Sequence, residues 1–232
     1  FPGSYAPVTK AHSTLWKTAI KEYSKYLKKP TNKILGIVTP VSDYYNKESI
    51  HDVNKENRLK LIEITIQKIK NYKIIVDRYE IDKKYPVDNS EVIKYVKKKY
   101  KILPSVFFGA DNINIAASHP EWWGGSKGLA SLFTKTVFIV GCSTYKSKRG
   151  SCENVQKDFK KIQNMTNDFS ANVHTFVIPK NYLGTSSSEV RKLMNEYNYY
   201  ATNCKSKDIR PFRLYKKIIK MIYYDQFLYI CK

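Results

Sequence analysis

Short apolar runs alternate with amphipathic helical patterns along most of this chain, and this alternation limits the possible folds more than any other feature. Runs rich in β-branched and aromatic residues are typical of strands buried on both faces, and they occur at residues 34–38, 73–76, 105–109, 137–140 and 173–178. The spacing of apolar residues predicts helices at residues 10–28, 55–70, 91–100 and 187–197, with a further helix towards the end of residues 212–230. Alternating strands and helices predict an α/β fold, namely a Rossmann-like, doubly wound parallel sheet with a C-terminal helical portion.

The composition is strongly basic, but the basic residues are spread along the whole chain. Among 232 residues there are 41 Lys and Arg against 20 Asp and Glu, which gives a formal net charge of +21. The lysines are interleaved with Asn, Ile and Tyr, as in residues 93–100, so we expect them on solvated helix faces. A positive field attracts phosphorylated substrates as well as nucleic acid. Nucleic-acid binding is therefore not the expected main function.

Neither a membrane span nor a cysteine motif is evident in the sequence. No apolar run reaches the roughly 18 residues that a membrane span requires, and the first residues lack the pattern of a signal peptide. We therefore expect a protein of the cytoplasm or nucleus without a membrane partner. Cys142, Cys152, Cys204 and Cys231 have no CxxC or metal-ligand spacing, which predicts reduced thiols and no protein metal site. The Lys- and Asn-rich residues 143–170 predict a partly mobile segment.

Two segments at opposite ends of the chain have the residues of phosphate-binding turns. Residues 3–12 form a Gly- and Pro-punctuated turn that leads into the first predicted helix, and residues 185–191 form a hydroxyl-rich turn that opens another. Backbone N–H groups at a helix N-terminus bind anions, and His12 and Arg191 add a hydrogen-bonding and a cationic side chain. Together these segments predict an enzyme that acts on phosphates. The first turn should follow a strand, so we expect the opening strand to lie outside the numbered sequence.

Both segments resemble signature motifs of nucleotidylyltransferases. Residues 3–12 (GSYAPVTKAH) resemble the GxFxPxTxxH motif, and residues 185–191 (TSSSEVR) are similar to the ISSTxxR motif. Further segments resemble the SPVxDxYxK segment, the GADL…PNLW block and the eukaryotic-type ending of nicotinamide or nicotinic acid mononucleotide adenylyltransferases. In the family's order, these are residues 39–47, residues 109–111 with 120–123, and residues 227–229. The matches run over most of the chain.

The resemblance implies adenylyl transfer from ATP to nicotinic acid mononucleotide (NaMN) or nicotinamide mononucleotide (NMN). The products would be deamido-NAD or NAD and pyrophosphate, which is a step of NAD biosynthesis. The resemblance also implies one nucleotidylyltransferase domain over residues 1–232, with a dinucleotide-binding core over 1–180 and the ATP motif and C-terminal helices over 181–232. Mg²⁺ is expected on the ATP phosphates rather than on protein ligands. The choice between NMN and NaMN and the oligomeric state stay open, and an apolar C-terminal helix would permit a homo-oligomer.

The family motifs assign roles to particular residues of this chain. His12, Arg191 and Thr9 would be the catalytic residues, because they would stabilise charge on the ATP phosphates. ATP would be bound by Gly3, Ser4, Tyr5, His12, Gly109, Asp111, Ser186, Ser187, Ser188 and Arg191. The mononucleotide would be bound by Lys47, Tyr79, Ser90, Trp122 and Trp123, with an aromatic ring stacked on the pyridine.

The sequence departs from the family pattern at several positions. Residues 9–12 follow the eukaryotic TxxH form and lack the first His and the Gly of the bacterial HxGH. Ser188 stands where Thr is usual, and Cys142 falls where relatives often have Arg. Tyr79 lies near the place where relatives often have a Trp, so residues 77–85 match only loosely.

A structural role is the alternative for each residue of the predicted site. His12 would then cap or pack a helix, Gly3 would serve a plain turn, Ser90 would cap the helix of residues 91–100, and Tyr79 would belong to the core. Two other functions also stay open. One is a different small-molecule nucleotidylyltransferase, such as a pantetheine-phosphate adenylyltransferase or a cytidylyltransferase. The other is a non-catalytic polyanion-binding protein.

Overall fold

The structure, a computed structural model, contains parallel β-sheet flanked by helices. It describes residues 1–45, 50, 53–102, 104–133, 136–142, 150–178, 187–203 and 210–230, with their side chains except those of residues 122, 199–203, 210 and 212. Within these residues the strands are β1 Pro2–Gly3, β2 Leu35–Pro40, β3 Lys73–Val76, β4 Val106–Gly109, β5 Val137–Cys142 and β6 Asn172–Val177. They form two three-stranded parallel sheets, in the orders β1-β2-β3 and β4-β5-β6.

Helices connect the strands, because parallel pairing needs long crossover connections. In chain order they are α1 Lys10–Leu27, α2 Lys55–Gln67, α3 Asn89–Tyr100, α4 Ala110–Ser118, α5 Gly125–Phe133, α6 Cys152–Thr166, α7 Ser187–Asn203, α8 Arg210–Met221 and α9 Tyr224–Ile230. Short 3-10 turns lie at Thr31–Lys33 and Pro120–Trp123. The predicted Rossmann-like α/β fold is confirmed.

The two sheets lie side by side, with β1 next to β4. The rings of Phe1 and Phe107 meet edge-to-face at this junction, with their centroids 5.5 Å apart. The combined strand order is therefore 3-2-1-4-5-6, which changes direction between β1 and β4. Ligands of such sheets bind at this change of direction, beyond the carboxyl ends of the strands. The loops after β1 and β4 are therefore the first places to look for a site.

The core beside β5 is aromatic and fixes the centre of the second sheet. Phe133 and Phe138 stack with centroids 4.3 Å apart, and Phe159 lies edge-on to Phe138 at 5.9 Å. All three side chains are buried. Phe138 is paired with Val106 on one side and with Val173 on the other, so β5 is the central strand. An apolar run without polar alternation is what a strand covered on both faces requires.

The numbered chain contains a short strand before the N-terminal turn. Pro2 and Gly3 pair with Thr39 and Pro40 of β2 and form the two-residue strand β1. The expectation that this strand lies outside the numbered sequence is therefore wrong for these two residues. Two residues are too few to give a periodic signal, which is why the apolar pattern does not reveal them.

Several helices differ from the sequence-based expectation. The partly mobile segment expected within residues 143–170 is wrong for α6, where Val155, Phe159 and Ile162 are buried at helical spacing behind many Lys and Asn residues. Helices α4 and α5 have no counterpart among the predicted elements, and the C-terminal helix is divided into α8 and α9. Among the described residues, no helix is both long and apolar enough to cross a membrane.

Cys142 and Cys152 form a disulfide between the end of β5 and the start of α6. Their Cα atoms lie 5.0 Å apart. The prediction of reduced thiols is wrong for this pair, because a separation of 10 residues in sequence does not reveal that a strand end and a helix start are neighbours. Cys204 and Cys231 lie outside the described residues.

Candidate functional site

The N-terminal loop, residues 3–9, follows β1 at the carboxyl edge of the sheet. Its start is fixed beside β2, because the Gly3 carbonyl accepts a hydrogen bond from the Val41 N–H at 3.0 Å. Tyr5 turns the chain with a φ of 50°. Thr9 ends the loop in an extended conformation as the N-cap of α1. The loop therefore leads from a strand end into a helix N-terminus, where several N–H groups have no partner within the helix.

Packing constrains both Gly3 and Tyr5 in ways that the motif does not reveal. A Cβ atom on Gly3 would lie 2.8 Å from the Tyr5 ring, so the ring itself requires glycine at this position. The Tyr5 side chain is 3% exposed, its hydroxyl donates to the Phe1 carbonyl at 2.7 Å, and its ring packs edge-on against Trp16. Tyr5 is therefore a core residue that can offer only its backbone to a ligand. Ser4 is half-buried beside it.

His12 is oriented by the residue that caps its helix. The Thr9 N–H donates to His12 Nδ1 at 3.0 Å, and the Thr9 hydroxyl lies 2.9 Å from the same nitrogen. A backbone N–H can only donate, so Nδ1 must be the acceptor. In the neutral imidazole the proton is then on Nε2, which becomes the hydrogen-bond donor of the ring. His12 therefore caps α1 through Nδ1, and the N–H of its neutral ring is at Nε2.

Thr9 was expected to contact phosphates directly, and its surroundings do not allow this. The residue is completely buried, and its hydroxyl is engaged with His12. Thr9 therefore acts on the site through the orientation of His12. The prediction of Thr9 as a catalytic residue is replaced by a positioning role.

The N-terminal and C-terminal motifs come together. The Ser187 hydroxyl, at the start of α7, donates to the Pro7 carbonyl at 2.7 Å. Arg191 donates through Nη1 to the Ala6 carbonyl and through Nη2 to the Ser188 hydroxyl at 3.1 Å. Residues some 180 positions apart in sequence thus meet at one loop. The N-termini of α1 and α7 and one guanidinium concentrate positive charge there, as an anion site requires. Ser186 lies outside the described residues.

Gly109 and Asp111 form the matching corner at the end of β4. Gly109 is the N-cap residue of α4, and a Cβ atom on it would lie 2.4 Å from Asp111 Oδ1. Asp111 is exposed and accepts a hydrogen bond from Asn112 Nδ2 at 3.3 Å. Because β4 lies next to β1, this carboxylate is at the same edge of the sheet as the N-terminal loop. An exposed carboxylate there can accept hydrogen bonds from ribose hydroxyls.

Tyr79 does not offer an open ring for stacking. Its ring is stacked on Tyr95 with centroids 3.7 Å apart, and Lys83 Nζ lies 4.5 Å from the Tyr79 centroid. The Tyr79 hydroxyl donates to Glu91 at 2.6 Å, and this hydrogen bond to a carboxylate raises the pKa of Tyr79 to about 12. The ring is thus engaged within its own region, as the structural alternative for this residue requires.

The other residues predicted to bind the mononucleotide are scattered or fall outside the description. Ser90 does not cap α3, because the helix begins at Asn89 and Asp88 is its N-cap. The Trp123 ring packs edge-on against Phe108 at 5.7 Å and is partly buried against the core around β5. Lys47 and the side chain of Trp122 lie outside the described part of the chain.

The C-terminal helices α8 and α9 contact the N-terminal loop and the start of α1. Gln226 of α9 is completely buried, and its Nε2 donates to the Val8 carbonyl at 3.1 Å and to the Thr65 hydroxyl at 2.9 Å. Lys10 Nζ donates to the Ile219 carbonyl of α8 at 2.6 Å, so this lysine joins α1 to α8. Burial lowers the pKa of Lys10. Sequence patterns do not reveal Gln226, because a single polar residue in a short helix carries no periodic signal.

Glu80 is a buried carboxyl group close to the site. It is 3% exposed, and its Oε2 has no hydrogen-bond partner among the described residues. Burial raises the pKa of Glu80 to about 8, although the nearby charge of Arg58 opposes this shift. The group is therefore mostly protonated at neutral pH.

Two cavities differ in their relation to these residues. One of about 580 Å³ adjoins Pro7 and Arg191, and α2, α7 and α9 line it. Another of about 470 Å³ lies at the amino-terminal halves of β2 and β4, beside Gly36 and Phe107. Both volumes are in the range of small-ligand pockets, but only the first borders the residues that converge on the N-terminal loop.

No three His, Cys, Asp or Glu side chains lie close enough together to hold a metal ion within the part of the chain that the structure describes. A scan against protein-family models and a search of the curated proteins find no match to this chain. The functional assignment therefore depends on the motifs and on the geometry around the N-terminal loop.

Proposed function

We propose that this chain is an adenylyltransferase that transfers AMP from ATP to NaMN or NMN, with deamido-NAD or NAD and pyrophosphate as products. The observation that carries the proposal is the convergence of both motifs on the N-terminal loop. Ser187 and Arg191 bond to the carbonyls of Pro7 and Ala6, and the ring of His12 is oriented by Thr9 at the adjoining helix N-terminus.

The chemistry requires position and charge rather than a protein nucleophile. A phosphate oxygen of the mononucleotide attacks the α-phosphorus of MgATP in line. A new P–O bond forms to that oxygen, the bond to the β-phosphate oxygen breaks, and its electron pair leaves with pyrophosphate. Such transfers depend on alignment and on neutralisation of the developing charge. Mg²⁺ enters with the substrate and can be carried by phosphate oxygens and water.

Each residue around the loop has a part in this scheme. His12 donates through Nε2–H to the phosphate chain as negative charge moves to the leaving group. Arg191 has five N–H donors, so it can contact phosphate oxygens while it holds Ala6 and Ser188. Thr9 keeps the His12 ring in the required tautomer, and Asp111 accepts from the ribose of ATP.

The pyridine acceptor is the part of the proposal that depends most on sequence resemblance. Residues 39–47 and 120–123 resemble the corresponding segments of pyridine-nucleotide enzymes, which favours NMN or NaMN over other acceptors. The stacked pair of Tyr79 and Tyr95 favours a second candidate, because no open aromatic platform is found at that position. That candidate is another small-molecule nucleotidylyltransferase, such as a pantetheine-phosphate adenylyltransferase or a cytidylyltransferase.

One experiment separates the two candidates. Each reaction contains the protein, MgATP and one acceptor, which is NMN, NaMN, phosphopantetheine or glycerol phosphate. A further reaction contains MgCTP and glycerol phosphate. We expect equimolar dinucleotide and pyrophosphate with NMN or NaMN. Product formed only from phosphopantetheine or glycerol phosphate would establish the second candidate. If no acceptor supports the release of pyrophosphate, both candidates are rejected.

A further inference from the structure

Arg58 is a buried arginine that contacts two loops at once. It lies near the start of α2, and its side chain is 0% exposed. Nη1 donates to the Ser4 carbonyl at 2.9 Å, and Nη2 donates to the Asp43 carboxylate. One guanidinium therefore joins the N-terminal loop to the β2 loop, which we define as residues 41–45.

The burial of this charge is costly. Removing a guanidinium from water costs several kcal/mol unless it is paired and fully hydrogen-bonded. Asp43, its ion-pair partner, is 39% exposed, and Arg58 Nε is buried with no partner among the described residues. An apolar side chain would fill the same space at lower cost. The two contacts, rather than packing, therefore account for an arginine at this position.

Arg58 lies on the face of α2 where an apolar residue is expected. Leu61, Ile62 and Thr65 of α2 are buried, and Arg58 precedes them by three, four and seven residues. That spacing places Arg58 on the buried face of the helix, where a charged residue is not expected. A charged residue in an apolar stripe indicates a specific internal partner.

We propose that Arg58 is a positioning residue that fixes the N-terminal loop and the β2 loop relative to each other, so that the two substrates meet in line. The inference rests on the proposed function, in which the N-terminal loop contacts the ATP phosphates, and it adds that the β2 loop contacts the mononucleotide. The connection extends further, because the Ser42 hydroxyl of the β2 loop donates to the Tyr85 carbonyl at 3.0 Å. Reacting groups displaced by about 1 Å lose roughly 100-fold in rate, so a shift between these loops matters.

Two variants test this role, and the chain offers a matched control. Asp43→Asn keeps the side-chain shape but removes the charge, and Arg58→Lys keeps the charge but removes the planar fork of donors. Arg78 and Asp82 form the same type of pair on the exposed surface, with Arg78 Nε 3.0 Å from Asp82. Arg78→Lys and Asp82→Asn are therefore the controls.

We expect Asp43→Asn and Arg58→Lys to lower kcat/KM for both ATP and the mononucleotide by roughly 10- to 100-fold. The controls should stay within about 3-fold, because exposed ion pairs contribute little. Amide hydrogen exchange gives a readout that does not need activity. The amides of residues 3–6, 8 and 9 should exchange faster in Asp43→Asn than in the wild type and in Asp82→Asn. This readout separates a failure of the inference from a failure of the proposed function.

Two results would overturn the role of Arg58. A loss confined to the mononucleotide, with unchanged exchange in residues 3–9, would mean that Asp43 contacts that substrate and does not act through Arg58. Unaltered kinetics and exchange in both variants would mean that the buried pair is structural only. If Arg58→Lys loses cooperative thermal unfolding, Asp43→Asn decides the question by itself, because its side chain is partly exposed and its shape is preserved.

Discussion

The two sides of the proposed site are built in different ways. On the phosphate side, Ser187, Arg191 and Gln226 reach the N-terminal loop from distant parts of the chain and bond to its carbonyls. On the acceptor side, Tyr79 and Tyr95 stack on each other. Hydrogen bonds to backbone carbonyls fix the position of the N-terminal loop. The stacking of Tyr79 on Tyr95, in contrast, fixes no position for a substrate. Phosphate chemistry therefore has support from long-range geometry, and the choice of acceptor has support from sequence resemblance.

The largest effect is expected at His12. His12→Ala removes the Nε2–H donor, and we expect turnover to fall by roughly 10²- to 10³-fold, the usual loss for one charge-stabilising donor. The free energy of unfolding should also fall, by about 1–3 kcal/mol, because the buried Thr9 N–H loses its acceptor, so turnover is compared in the folded variant. His119→Ala is the control, since that ring is exposed beside Glu121. Turnover at the wild-type level in His12→Ala would mean that His12 does not stabilise charge on the ATP phosphates.

The next effect concerns the pH dependence of stability. The pKa of Glu80 is raised in the folded state, so its contribution to stability is fully present below its ordinary pKa of about 4.5 and is lost as pH rises towards about 8. Glu80→Gln cannot ionise. We therefore expect its free energy of unfolding, relative to the wild type, to rise by about 2–3 kcal/mol between pH 5 and pH 7.

Denaturant unfolding at several pH values measures this difference. Glu63→Gln serves as the control, because that carboxylate is exposed on α2. A parallel pH dependence in the wild type and Glu80→Gln would mean that Glu80 is ionised in the folded protein, and the electrostatic description of the region around Arg58 would then be wrong.

Gln226 tests how far the phosphate side depends on the C-terminal helices. Gln226→Leu leaves the Val8 carbonyl and the Thr65 hydroxyl without this partner, and we expect the free energy of unfolding to fall by about 1–3 kcal/mol. Turnover of the folded protein should also fall, since Val8 precedes the residue that orients His12. Gln163→Leu is matched to it, because Gln163 donates only to Ala171 among the contacts described. Equal turnover in the two variants would mean that the contact of Gln226 with the N-terminal loop does not affect the reaction.

The smallest effect is expected at Tyr79. A stacking platform contributes roughly 1–3 kcal/mol per ring, whereas a ring already stacked on Tyr95 contributes little to the ligand. We therefore expect Tyr79→Leu to change the KM for the mononucleotide by less than about 3-fold. Tyr95→Leu provides the comparison for lost packing. A rise of 10-fold or more that is specific to Tyr79→Leu would show that the ring turns towards the substrate.

The sequence predicts the regular elements well where periodicity is strong. The strands Lys73–Val76 and Val137–Cys142 and the helix Lys10–Leu27 follow from apolar runs and helical spacing. Helices α4 and α5 escape prediction because they are short, at nine residues each, and α5 is also rich in Gly and Ser. The disulfide is not predicted because the sequence does not show that Cys142, at the end of β5, lies next to Cys152, at the start of α6.

The site is predicted less evenly than the fold. Motif spacing identifies His12 and Arg191, but it does not show that Thr9 and Tyr5 are buried or that Gly3 is required by a ring. These outcomes depend on which side of the loop faces the core. No motif identifies Arg58, and its role follows only from its contacts with Ser4 and Asp43 in the structure.

We propose that one polyphosphate chain is held by residues from both ends of the sequence. A crystal structure with Mg²⁺ and a non-hydrolysable ATP analogue would show the contacts of that chain. We expect phosphate oxygens within hydrogen-bond distance of both His12 Nε2 and the Arg191 guanidinium. A triphosphate that contacts only one of them, or that binds away from the N-terminal loop, would contradict it.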